Sequence, residues 1–413
     1  MTGIPEHLPR KLAISSWIWS WIAGGGPGEP YENLETCMVG LKERGFNALR
    51  ADVGLNWGFT IDGRPRGEMA FRQWIEGYGW NLATVCDFGG ARHDVLERVI
   101  HLLELAKKHG VYVILTSWEY QDSSWHVADP AIRAEVMGVP IERRFMRMAE
   151  QMDRLLMILG DRGLKRNIAF VEVHNEPEHS LFPEGPESVD QHTAAIAMLR
   201  ERHPDVMVSA DFSSHKWEIV PANAQVFDQH IYAGGDWYFK VLYGQTVLAD
   251  GFDPAHPRRH EPLARVLRDG DLVPWDEFMI AAENIRPFWR PVDWMFENLD
   301  NEKWDRWLTE SYAEWEEPIH ETARKYFALD AHEAQRRGLP LVLDEGGFFY
   351  PPRYSRFEVD GPGLSLLDLF TDLAIEHDYW GYMPGTYTGP EQLVWGANPE
   401  WLRMTNERFR SSE

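Results

Sequence analysis

At 413 residues the chain is longer than the roughly 250–300 residues at which one core usually stops growing, so it is one large barrel or two ordinary domains, and a small disulfide-stapled module is excluded. Its 44% hydrophobic and 26% charged residues are globular in balance, and 19 Trp, 14 Tyr and 20 Phe exclude disorder while supplying many aromatic surfaces. A formal net charge of −24 repels phosphate backbones and anionic membranes, which excludes a nucleic-acid partner and membrane association.

The first residues, MTGIPEHLPRKLAISSWIW, carry Pro5, Glu6 and Pro9 where an export signal would have a basic start and an unbroken apolar stretch. With only Cys37 and Cys86, which form neither a disulfide framework nor a metal-ligand spacing, this suits a reducing cytoplasm. Short apolar and β-branched runs then alternate with helical patterns. LAISSW (Leu12 to Trp17) and NALRADV (Asn47 to Val53) read as the first two strands, separated by a helical stretch ending at Gly45. The helix VLERVIHLLELAKKHG (Val95 to Gly110) closes with Lys107, Lys108, His109 and a glycine, and leads into the third strand, VYVILTSW.

A helix over Arg143 to Gly163 precedes the fourth strand, Asn167 to Pro177; the fifth and sixth are Asp205 to Phe212 and Ala224 to Tyr232. The seventh, Leu339 to Phe348, follows a helix ending in Arg336, Arg337 and Gly338, the eighth is Trp380 to Tyr387, and a helix near Glu400 to Arg410 closes the chain. Eight strand and helix pairs in this alternation predict an α/β chain folded as one closed (β/α)8 TIM barrel over residues 1–413. About 100 residues separate the sixth and seventh strands, far more than a loop and one helix need. The excess, near residues 233–325, is a Trp-rich insertion leaving the end of the barrel where active sites lie. Its tryptophans suit a lid or cleft wall, a core of their own, or the seal of an oligomer.

Two strand ends carry the chemistry. In VEVHNEPE, strand alternation turns Glu172, His174 and Glu176 to one face, and Pro177 stops the strand just after Glu176. Buried carboxylates are costly unless paired or used: a structural ion pair would account for Glu172, but it accounts poorly for Glu176, left at the catalytic rim. LVLDEGGF also ends in an acid, Glu345, at the same end of its strand. Two carboxyls about 5–5.5 Å apart suit double-displacement glycoside hydrolysis, and a wider gap suits inversion.

With these motifs the whole chain resembles the glycoside hydrolases of clan A, the cellulase-like (β/α)8 glycosidases. There an Asn-Glu pair ends strand four and supplies the acid/base, and a Glu ending strand seven is the nucleophile; Asn175, Glu176 and Pro177 match the first pattern and Glu345 the second. Arg50 in FNALRADV matches the strand-two arginine that supports the nucleophile, and His230 and Tyr232 in QHIY match a His-x-Tyr strand six. The resemblance implies that Glu345 attacks, Glu176 acts as acid then base, Asn175 holds the sugar 2-hydroxyl, and Tyr232 donates to Glu345. Cellulase-like relatives carry a histidine late in strand three and a tryptophan ending strand eight, where this chain has TSWEY and MPGTYTG. Rebuilt subsites are therefore expected, with Trp17, Trp118 and Glu119 at the sugar and Trp395 in QLVWG returning as the missing platform.

Three rivals remain. A metal hydrolase fails because His174, Glu178 and His179 have the spacing H-x-x-x-E-H, broken by Pro177. A sugar-binding barrel without catalysis has no need to keep both acids. Transglycosylation would use the same intermediate with a sugar acceptor. The expected function is thus a retaining, cofactor-free and metal-free β-glycosidase, exo-acting on small carbohydrate substrates, with an endo-acting β-glucanase or mannanase as the alternative.

Overall fold

The computed structural model describes residues 3–15, 19–82, 91–213 and 215–412. Eight parallel strands close into a barrel: β1 (Leu12–Ser15), β2 (Ala48–Asp52), β3 (Tyr112–Thr116), β4 (Ile168–Glu172), β5 (Val208–Phe212), β6 (Phe227–Gln229), β7 (Leu341–Leu343) and β8 (Gly381–Tyr382). Each strand pairs with its sequence neighbour, and β8 closes on β1 through Leu12 opposite Gly381. The pairing is longest between β2 and β3, from Ala48 opposite Tyr112 to Asp52 opposite Thr116.

The helices between strands form where the sequence signals them. α1 (Leu34–Glu43) starts at Asn33, whose side chain accepts the Thr36 N–H. α2 (Val95–His109) is capped by Asp94 and ends at Gly110 in the left-handed conformation, φ +65°. α3 (Arg144–Asp161) and α4 (Gly185–Arg202) follow β3 and β4. α5 (Asn301–Arg337) leads into β7, α6 (Leu364–Glu376) joins β7 to β8, and α7 (Pro399–Arg410) closes the chain. The expected eight helices are corrected here: among the described residues only the 3-10 turn Trp217–Ile219 joins β5 to β6.

Alternation along the strands separates two layers of apolar packing. Leu49, Ala51, Val113, Leu115, Val171, Val208, Ala210 and Leu343 face the helices. Ile14, Ala48, Ile114, Phe170 and Val342 fill the barrel's floor. One pleat step above that floor the interior turns polar, with Arg50 on β2, Glu172 on β4, Asp211 on β5 and Asp228 on β6, all fully buried.

Between β6 and α5 lies the insertion, with helices at Trp275–Ala281 and Trp289–Asn298. Trp294 and Trp304 are buried within it and against α5, so some of its tryptophans form a core. Others, as shown next, face the site.

Candidate active site

Both acids stand where regular strand pairing has stopped. β4 ends at Glu172, and Glu176 takes φ +38°, a left-handed conformation rare for a residue with a side chain, immediately before Pro177. Its carboxylate accepts from Gln121 at 3.3 Å and meets His230 Nδ1 at 2.7 Å, while its backbone N–H donates to Asp211 at 3.1 Å. The expectation that His174 faces the barrel is corrected, because pleat alternation does not survive past Glu172. His174 Nδ1 donates to the Asn175 carbonyl at 2.7 Å, Nε2 accepts the Tyr120 N–H at 3.0 Å, and the ring packs on Phe182.

On the other side, β7 breaks after Leu343 and re-pairs only at Gly346 and Gly347, opposite Ile231 and Tyr232. Across that break both Asp344 and Glu345 reach the barrel interior. Arg50 joins the two halves. It donates to Glu345 at 2.5 Å, to Glu172 and the Asn175 side-chain oxygen at 2.8 Å each and to Asp211 at 3.1 Å, and it forms an ion pair with Asp344 at 2.8 Å without an aligned hydrogen bond. Tyr232 donates its hydroxyl to Glu345 at 2.5 Å, and Asn175 donates to Gln121 at 2.8 Å. One carboxylate oxygen of Glu176, one of Glu345 and a ring nitrogen of His230 all lie within 4.8 Å of one another.

The interior holds more carboxyls than its two cations can neutralise, and the titration shifts follow. Burial raises Asp211 to about 7 and holds Glu172 and Asp228 well above the carboxylate range, despite the nearby Arg50 charge. Burial opposes ionisation of Asp344 too, but Arg50 and a hydrogen bond from His230 hold it at about 2. His230 moves well above an ordinary histidine: burial disfavours the imidazolium, yet the charge of Glu345 and hydrogen bonds to Asp344 and Glu176 outweigh it. Burial likewise raises Glu345, more than His230 and Arg50 lower it, whereas Glu176 is held at about 2 against burial by the His230 hydrogen bond and charge. Glu176 and His230 thus hold one proton between them across 2.7 Å, resting on His230 while Glu176 is ionised.

Above the acids lies a cavity of about 700 Å³, within the range of small-molecule sites. Glu176, Glu345, Asn175 and Tyr232 line its base, Trp118 lines its wall, and Arg50 lies 4.5 Å under the Trp118 ring. Two carboxylate and histidine sets, Glu176 with His230 and Glu345, and Asp228 with His230 and Asp344, are close enough to hold a metal ion. Asp344 and Glu345 already pair with Arg50 and Glu176 meets His230, so a cation there would compete with a guanidinium in place; the Asp228 carboxyl has no hydrogen-bond partner among the described residues.

Residues 14–249 match the model of the cellulase-like family, described as sugar-binding cellulase-like, over more than half of the chain. The chain belongs to that family. It is a cellulase-like barrel. A search of curated proteins finds no match to its sequence. Among solved structures it is similar in fold to a Parabacteroides distasonis ATCC 8503 protein classed provisionally as a glycoside hydrolase, at 17% identity and a TM-score of 0.69, covering 98% of this chain and 95% of that one. More distant are an endo-1,4-β-D-mannanase from Thermotoga petrophila RKU-1 (13% identity, TM-score 0.46, 96% of this chain and 99% of that one) and a family 5 mannosidase from Rhizomucor miehei (11%, 0.48, 100% and 95%).

In this cellulase-like barrel the remaining expected site residues fall in different places. Trp17 lies outside the described residues. Glu119 is buried beside the cavity: it accepts from the Asn56 N–H and from Ser117 at 2.8 Å, and burial together with Asp52 raises it to about 8. Trp395 is corrected. It stacks on Phe46 and under Arg44 between α1 and β2, at the barrel end opposite the acids, because the final loop descends before the Leu393–Ala397 helix. Tyr387, from the loop after β8, lines the cavity instead.

Trp19, Trp74, Gln121, Asp122 and Asp293 line the cavity without having been singled out from sequence, and Trp289, one of the insertion's tryptophans, lines it too. Gln121 follows the TSWEY run by one residue, and its polar side chain just past a strand end was the available signal. Trp19, Trp74 and Asp122 come from loops and Asp293 from the insertion's Trp289–Asn298 helix, whose courses in space no local pattern specifies. No helix among the described residues is long and apolar enough to cross a membrane.

Proposed function

We propose that this cellulase-like barrel is a retaining, exo-acting β-glycosidase of small carbohydrate substrates, with Glu345 as nucleophile and Glu176 as acid/base. The observation that carries the reading is the approach of the two carboxylates, within 4.8 Å at their nearer oxygens, on the floor of one cavity. That separation belongs to double displacement, since inversion needs about 6.5–9.5 Å to admit a water.

Glu345 attacks the anomeric carbon and forms a glycosyl ester as the bond to the leaving oxygen breaks. The proton shared by Glu176 and His230 passes through Glu176 to that oxygen. Water then enters; Glu176 takes one of its protons, the oxygen attacks the anomeric carbon, and Glu345 leaves as a carboxylate. Arg50 and Tyr232 stabilise Glu345 as an anion through two charge-assisted hydrogen bonds. Asn175, held by Arg50 and Gln121, is placed to meet the sugar 2-hydroxyl. The insertion walls the cavity with Phe239, Phe288 and Trp289, which supports a pocket more than an open cleft.

The test is chemical rescue on aryl β-glycosides. Glu345→Ala should lose turnover by at least about a thousandfold, and azide should restore it with an inverted glycosyl azide as product. For Glu176→Ala, the loss should be deepest on substrates with poor leaving groups, and the azide product should retain configuration. Wild-type turnover that survives both substitutions would overturn the assignment.

A further inference from the structure

The insertion brings to the cavity a carboxyl that the proposed reaction does not use. Asp293, on the Trp289–Asn298 helix, lines the cavity and is only 1% exposed. Its Oδ1 accepts from the Tyr350 hydroxyl at 3.3 Å, the Trp74 indole N–H faces the carboxyl without a well-aligned hydrogen bond, and Oδ2 has no partner among the described residues. A buried carboxyl oxygen left open costs free energy that a purely structural role does not return. The neighbouring cation does not offset it, because Arg286 is spent on Asp122 at 2.9 Å and on the His179 carbonyl at 3.1 Å.

Resting on the reading of this cavity as a glycosidase pocket, we propose that Asp293 binds a hydroxyl of an uncharged sugar unit, forming with Trp74 a recognition position that the insertion adds to the barrel. Trp74 stacks on Trp19 with centroids 5.5 Å apart and planes 10° from parallel, so beside Asp293 stands a fixed aromatic wall against which a sugar's C–H face can pack. Burial raises Asp293 to about 8, with the like charge of Asp122 adding to it, so at neutral pH the carboxyl is largely protonated and offers both a donor and an acceptor. A sugar hydroxyl has the same pair of capacities. Asp122, Glu176 and Glu345 line the same space, which disfavours an acidic sugar.

The experiment titrates Glu345→Gln, alone and combined with Asp293→Leu or Asp293→Asn, with cellobiose, mannobiose and xylobiose, and with a glucuronic acid-bearing disaccharide as the charged comparison, alongside thermal melting. Asp293→Leu should weaken binding of a neutral disaccharide by about three- to tenfold. Asp293→Asn, which keeps a donor and an acceptor, should recover most of it, and neither should melt below the parent. The proposal is overturned by equal affinity in Asp293→Leu, by affinity and melting temperature falling together in both variants, by preference for the charged disaccharide, or by no binding of any probe to the parent. Wild-type turnover of aryl glycosides judges the hydrolytic reading separately: binding that depends on Asp293 without turnover would sink that reading and leave this one standing.

Discussion

His230 shows how one side chain couples the two acids. Its Nδ1 meets Glu176 at 2.7 Å and its Nε2 meets Asp344 at 3.1 Å, so on the proposed mechanism its proton is the one that Glu176 delivers. Glu345 must be ionised to attack, and burial raises its pKa, so the acid limb of kcat/KM should lie above an ordinary glutamate. The alkaline limb marks loss of the proton shared by Glu176 and His230, which the surrounding anions hold well above the usual histidine range. In His230→Asn that cation is gone, Glu176 must hold the proton alone, and the alkaline limb should fall by about one pH unit or more. A pH profile on an aryl glycoside checks this, and an unmoved limb would show that His230 only packs. The pairing of Glu176 with Glu345 was legible in the sequence because each ends an apolar strand run. The sharing of a proton was not, since it depends on a 2.7 Å contact between residues 54 positions apart.

At the scale of elements, the site is built from places where strands stop being regular. Asp344 and Glu345 are consecutive, as are Asn175 and Glu176, and within each pair both side chains reach the interior cluster, which an unbroken pleat forbids. The break in β7 is held by the short pairing of Gly346 and Gly347 with Ile231 and Tyr232, which also brings the Tyr232 hydroxyl to Glu345. A Cβ on Gly346 would lie 2.8 Å from the Ile231 carbonyl oxygen and 3.2 Å from Phe370, so that strand segment must move. Gly346→Ala should cost about 1–3 kcal/mol and, by displacing Glu345, lower kcat by tenfold or more. Thermal denaturation and aryl glycoside turnover measure the two effects, and retention of both would show that the segment yields without moving the acid. Strand alternation predicted Glu172 correctly and His174 wrongly for one reason: it holds only while ladder hydrogen bonds continue, and β4's end at Glu172 is set by its neighbours.

Over the whole molecule, the net charge of −24 and the acid-lined cavity repel anionic ligands and do not steer uncharged ones. For a neutral aryl glycoside, kcat/KM should therefore change by less than about twofold between low and high salt. A chelator should leave turnover unchanged, because one carboxylate of each candidate set, Asp344 and Glu345, is already ion-paired with Arg50; loss of activity that returns on adding a divalent cation would contradict this. By itself the sequence determined the barrel, its eight strands, the long excursion after the sixth, and that Glu176 and Glu345 stand at the ends of apolar strand runs, because periodicity, helix caps and strand ends are local patterns. Only the tertiary structure decided that Trp395 lies at the opposite end, that Glu119 turns away, that the insertion brings Asp293, Phe239 and Trp289 to the cavity, and that one arginine serves four carboxylates. Those outcomes depend on where long loops return in space and on how many buried charges share one dielectric, and neither is written in any short stretch of residues.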